Sequence, residues 1–71
     1  MINTDLLLQK ISERGLKITF VADQLHLTYV GFMNKVNNKT EFKASEVAVL
    51  KALLNLTDEE TNQIFFDINV D

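Results

Sequence analysis

The chain contains no cysteine, no proline, only two glycines and a single histidine. Without cysteine there is no disulfide framework and no Cys/His cluster to hold a structural metal. Stability must then come from side-chain packing, and a reducing cytosol is the expected compartment. With one histidine, no cysteine and no glycine-rich phosphate loop, no catalytic constellation can be assembled, so neither an enzyme nor a cofactor is expected. The acidic run Asp58-Glu59-Glu60 suits the first turn of a helix, where the dipole favours anions, better than a metal site with convergent ligands. The amino-terminal stretch MINTDLLLQKISER has no basic segment ahead of its apolar residues and no long apolar run. A signal peptide and a membrane span are therefore not expected, and the cytoplasm of the cell is. No internal repeat, low-complexity tract or linker interrupts the chain.

What is present is a 71-residue chain with room for one domain, residues 1–71. A chain of this size buries only about 60% of its unfolded surface, so its core must be efficient. The formal net charge of −3 is unevenly spread. Between Lys10 and Lys43 six basic residues stand against three acids, a local net of +3. From Ala44 onward Lys51 stands against six acids, a net of −5. The molecule is polarised into a modestly basic first part and a strongly acidic last part.

Apolar spacing predicts five short helices. Asn3 or Thr4 caps the first, Asp5 lies in its first turn, and Leu7 with Ile11 forms its buried stripe, Leu8 at the shoulder. Gly15 stands where a left-handed residue would end that helix, and Leu16 follows as the apolar contact of such an ending. Thr19 is the expected N-cap of a second helix running to about Leu25. His26 then occupies a turn position that needs positive φ, and His is among the non-glycine residues enriched there. We read it as a turn residue in preference to a catalytic or metal-binding one. Thr28 caps a third helix from Tyr29 to about Val36. Val21, Ala22, Leu25, Leu27, Phe32 and Val36 fall at the positions that two packed helices must bury, with Ala22 small enough to let the backbones approach. After the polar loop Asn37-Asn38-Lys39-Thr40, Phe42 is expected to fold back onto the core. Ser45 is the expected N-cap of a fourth helix, EVAVLKALLN, with Val47, Leu50, Leu53 and Leu54 on its apolar face. Thr57 with Glu60 reads as a capping box that opens a fifth. Ile64, Phe65, Phe66, Ile68 and Val70 crowd the end, and not all five can point inward.

The run VADQLHLTYVGFMNKVNN resembles the motif of lambda-repressor-like and Cro-like phage regulators. The likeness lies in the apolar–Ala pair of the second helix, the apolar residues flanking the turn, the apolar residue inside the third helix and the apolar–Asn ending. The frame agrees: Gly-Leu before the motif and KTEFKASE at the junction to two further helices. More narrowly, the chain is similar to the modulator-of-repression antirepressors of temperate phages of lactic-acid bacteria. The resemblance implies an all-α, five-helix, lambda-repressor-like domain with a helix-turn-helix at residues 18–37. It also implies a cytoplasmic role in the bacterial host, in a phage lysogeny–lysis switch. Two positions depart from the pattern. His26 stands where glycine is usual, and Tyr29, Val30 and Met33 stand where DNA readers more often place Gln, Ser, Arg or Lys.

Two functions compete. In the first, the third helix enters the major groove as a Cro-like repressor does, as a dimer. Thr28, Asn34 and Asn37 offer hydrogen bonds to base edges, and Lys17, Lys35, Lys39 and Lys43 meet phosphates. Four lysines are few for a surface whose affinity depends on phosphate neutralisation, and a pI near 4.9 opposes it. In the second, the outer face of the third helix (Thr28, Tyr29, Val30, Met33, Asn34 and Asn37) meets the DNA-binding domain of the phage repressor and denies it the operator. Aromatic and methionine side chains are enriched at protein interfaces, and acids would steer the chain towards a basic DNA-reading surface. The expectation is this antirepressor role, with Cro-like operator binding as the alternative. One of Tyr29, Val30 and Met33 is expected to pack under the loop around Phe42. Phe65 and Phe66 supply a second candidate partner surface, although Ile64 and one of the two phenylalanines are expected in the core.

Overall fold

The computed structural model describes residues 1–66, and these form five short helices with no strand among them. They are α1 (Thr4–Glu13), α2 (Ile18–Gln24), α3 (Tyr29–Val36), α4 (Ala44–Leu53) and α5 (Asp58–Thr61). A π-helical turn, Asn62–Phe66, continues α5. The radius of gyration is 11.2 Å, matching the about 11 Å of a well-packed chain of this length. Ile68 and Val70, expected among the terminal apolar cluster, lie outside the described residues.

Each of the first four helices ends in the same way. The chain turns through one residue of positive φ: Gly15 (68°), His26 (58°), Asn38 (65°) and Asn55 (51°). The next residue then donates its N–H back to the carbonyl five positions earlier: Leu16 to Ile11 (3.3 Å), Leu27 to Ala22 (3.0 Å), Lys39 to Asn34 (2.8 Å) and Leu56 to Lys51 (2.9 Å). This is the Schellman ending, which satisfies carbonyls that the last helical turn leaves without a partner. The turn role read for His26 is therefore the one it has. The fourth helix stops at Leu53, and Asn55 is its left-handed ending, not its last residue.

The helix starts are less uniform. Asn3 caps α1, its side chain accepting from the Leu6 N–H at 3.1 Å, and Thr28 caps α3 through the Gly31 N–H at 3.0 Å. Thr57 and Glu60 form the reciprocal capping box of α5, at 2.9 and 3.0 Å. Two expected caps are wrong. Thr19 lies inside α2, whose N-cap is Lys17, with no side-chain bond. The ending at Gly15-Leu16 leaves one extended residue before α2 begins, so the helix starts earlier than the hydroxyl. Ser45 likewise lies inside α4, whose N-cap is Lys43. There the Glu46 carboxylate reaches back to the Lys43 N–H at 2.7 Å, which serves the start of the helix from the other side.

The core takes Leu7 and Ile11 from α1, Val21 and Ala22 from α2 with Leu25 at its end, and Phe32 and Val36 from α3. Leu50, Leu54 and Leu56 come from α4 and the turn after it, and Ile64 and Phe65 from the π turn. Phe42 folds back as expected, edge-on to Phe32 (ring centroids 6.1 Å apart) and to Phe65 (5.6 Å). Phe65 is thus a core residue, and its place in a second partner surface is withdrawn.

Candidate functional site

The α2–α3 unit is tied at the end of α3 to a distant part of the chain. At the end of α3, the Asn38 side chain accepts from the Ile2 N–H at 2.6 Å and donates to the Ile2 carbonyl at 3.1 Å and to Thr4 Oγ1 at 3.3 Å. The Thr4 hydroxyl donates in turn to the Val36 carbonyl at 2.6 Å. Positive φ at Asn38 therefore does two things, ending the helix and aiming an amide at the amino-terminal segment. That segment is fixed on its other side by the Asn3 N–H, which donates to the Ile64 carbonyl at 2.7 Å. The turn between α2 and α3, Leu25 to Thr28, is short, and Leu27 packs part-buried against the core.

Part of what this frame presents outward is apolar. Tyr29 is 53% exposed and Val30 66%, both in the first turn of α3. Phe20, on α2, is 43% exposed. Met33 is the one of the three unusual α3 residues that packs against the core. Thr28 and Asn37 are exposed, while Asn34 is half-buried. The outer face read for α3 is therefore present at Thr28, Tyr29, Val30 and Asn37, and only partly at Met33 and Asn34.

The charges around it are engaged unequally. Lys35, the sole basic residue of α3, is held in an ion pair. Its ammonium lies 2.6 Å from Glu46 Oε1, with only 13% of the lysine side chain and 10% of the glutamate side chain exposed. The same oxygen takes the Lys43 N–H, so one carboxylate serves a helix start and an ion pair together. Burial pushes the Glu46 carboxyl up. The bonds from Lys35 and Lys43 and the two lysine charges outweigh it, leaving the group below its ordinary value. Lys17, Lys39 and Lys43 are exposed and form no ion pair among the described residues. Arg14 does not face this surface as a charge. It donates from Nε to the Leu54 carbonyl at 2.9 Å and covers the end of α4.

A second surface lies where the amino-terminal residues meet the loop after α3 and the π turn. An open groove of about 360 Å³ is lined by Met1, Ile2, Phe42, Val47, Phe65 and Phe66, with Asn38, Thr40 and Glu41 on its polar side. Phe66 is 57% exposed at its edge, while Phe65 contributes only to its floor. Among the described residues no group of three His, Cys, Asp or Glu side chains is placed to hold a metal ion, and no helix is long and apolar enough to cross a membrane.

Phe20 and Glu46 are the residues that sequence reasoning passed over. Phe20 carried a signal, because Val21, Ala22 and Leu25 already define the buried side of α2 and Phe20 falls off it. Glu46 carried none, because its partner Lys35 is eleven positions away. No protein-family model matches the chain, and no curated protein or solved structure matches it either.

Proposed function

We propose that the chain is a helix-turn-helix regulator of the lambda-repressor-like kind, with α2 and α3 as the two helices of the motif. In this reading it acts as an antirepressor in a phage lysogeny–lysis switch, within the bacterial cytoplasm. It binds the DNA-binding domain of the phage repressor, one to one, through the outward face of α2 and α3, and so denies the repressor its operator. The short Leu25–Thr28 turn, the capping hydroxyl of Thr28 and the burial of Val21, Ala22, Phe32 and Val36 support the motif.

The observation that carries the function is the character of the exposed face. Phe20, Tyr29 and Val30 stand out into solvent while the only basic residue of α3 is tied to Glu46. Aromatic side chains are favoured at interface cores, where they bury a large rigid area at low entropic cost. DNA binding draws instead on phosphate neutralisation, and three lysines correspond to a salt slope of only about −2.7 on duplex DNA. The acidic last part of the chain would favour approach to a basic DNA-reading surface and disfavour DNA itself.

A second reading keeps support from Lys17, Lys39 and Lys43, which are exposed, as are Thr28 and Asn37. It is a Cro-like repressor that binds operator DNA as a homodimer. A gel shift of the phage promoter region separates the two, run with this chain alone, repressor alone, and both. Loss of the repressor shift with no shift by this chain supports the antirepressor. A sequence-specific shift by this chain alone, with the repressor unaffected, would overturn it.

A further inference from the structure

The interaction that the motif does not require is the pair between α3 and α4. Lys35 is the sole basic residue of the helix that a DNA reader would insert into the groove. A lysine on the flank of that helix ordinarily reaches outward on its flexible stem and meets a phosphate. Here the ammonium is drawn to the start of α4, 2.6 Å from a carboxylate that is itself almost covered. The carboxylate is fixed independently of the lysine, because it also takes the Lys43 N–H at 2.7 Å. The Lys35–Glu46 pair neither starts nor ends α3, whose start is capped by Thr28 and whose end is closed by Asn38.

We propose that Glu46 is a specificity-determining residue: by holding the Lys35 ammonium against the start of α4, it withdraws the one basic group of α3 from nucleic-acid phosphates. The inference rests on the reading of α2–α3 as a face that meets protein, and it names what keeps that face from DNA. Removing a favourable contact to the wrong partner is as effective for discrimination as adding one to the right partner. A glutamine at position 46 would keep an amide oxygen for the Lys43 N–H while giving up the charge that captures Lys35.

The test is the salt dependence of binding to a fluorescein-labelled generic duplex, read by anisotropy for the wild-type chain, Glu46→Gln, and Glu46→Gln with Lys35→Gln. Circular dichroism checks that each is folded. Glu46→Gln is expected to bind the duplex more tightly and to steepen the salt slope by about 0.9, one added phosphate contact. Between roughly 50 and 200 mM salt this variant then loses about 3.5-fold more affinity than the wild type. The double variant is expected to return to the wild-type slope. A folded Glu46→Gln with an unchanged slope, or a double variant that keeps the steeper slope, would overturn the proposal. A measurement on the unaltered chain covers the case in which Glu46→Gln does not fold. Under limiting acetic anhydride, Lys35 should acetylate more slowly than Lys17, Lys39 and Lys43 by mass spectrometry, and acetylation as fast as at Lys39 would contradict the proposal. No repressor enters either experiment, so their failure leaves the antirepressor reading standing, and failure to bind repressor leaves the Lys35–Glu46 result standing.

Discussion

The side of the molecule built from α1 and α5 with the end of α4 and the side built from α2 and α3 engage their surface residues to different degrees. On the first side charges are matched within the fold. Lys10 lies 2.6 Å from Glu60 and 3.5 Å from Glu13, Lys51 pairs with Asp58, and Arg14 covers the Leu54 carbonyl. On the second side Lys35 is paired with Glu46, but Lys17, Lys39 and Lys43 stand without an ion pair among the described residues, and Phe20, Tyr29 and Val30 are exposed. Scattered exposed apolar residues are ordinary on a protein surface. Two in the first turn of one short helix, joined by a third on the helix before it, are a concentration that folding alone does not require. The difference separates a surface whose charges are matched within the fold from one that leaves three lysines and three large apolar side chains uncovered, the surface proposed above to meet a partner.

The largest effect expected from this contrast is found under the open surface, not on it. Phe32→Ala should cost about 3–5 kcal/mol by urea denaturation, because Phe32 is fully buried and supports Phe42. Val30→Ala, two residues away, should stay within about 0.5 kcal/mol of the wild type. Equal losses at the two positions would mean that Val30 is part of the core and that the open face is misread.

The four helix endings give the next test. Asn38→Gly keeps the left-handed backbone but removes three side-chain hydrogen bonds to the amino-terminal segment, and should destabilise by about 1–2 kcal/mol. His26→Gly removes the cost of holding a side-chain-bearing residue at positive φ and should stabilise by about 1 kcal/mol. The signs are opposite although the backbone role is the same, which distinguishes an ending that is only a turn from one that is also a clamp.

On the closed side, Thr57→Ala should cost about 1 kcal/mol through loss of the Glu60 N–H bond. Glu60 itself predicts the pH response. The hydrogen bond from Lys10, with those from Thr57, holds its carboxyl down from 4.5 to about 2. A carboxyl lowered in the folded state contributes stability that is present above its unfolded value and lost as pH falls through the folded one. The melting temperature should therefore fall between about pH 4.5 and 2, and fall less steeply in Glu60→Gln over the same window.

The five-helix plan was legible because apolar spacing, Gly15 and the Thr57–Glu60 box each act within a few residues. His26 was legible for the same reason, standing directly after the last periodic residue of its helix. Asn38 and Asn55 carry the same backbone role but were read as loop and helix. Asparagine is common in both settings, and only the recurring partner, a leucine just after the turn in three of the four endings, would have marked Asn55. Thr19 and Ser45 misled because hydroxyls attract the reading of an N-cap, whereas lysine at positions 17 and 43 has no acceptor to announce one. At the site, Tyr29 and Val30 were found by what they are. The pairing of Lys35 with Glu46 was not legible, because a contact between two helices is one that local pattern does not encode.

The most direct test of the central claim is calorimetric titration of the phage repressor's DNA-binding domain with this chain and with its Val30→Asp variant. The account predicts a one-to-one complex for the wild type that is lost or strongly weakened by Val30→Asp, with the variant's melting temperature unchanged. No complex with the wild type, or one that Val30→Asp leaves intact, would contradict it.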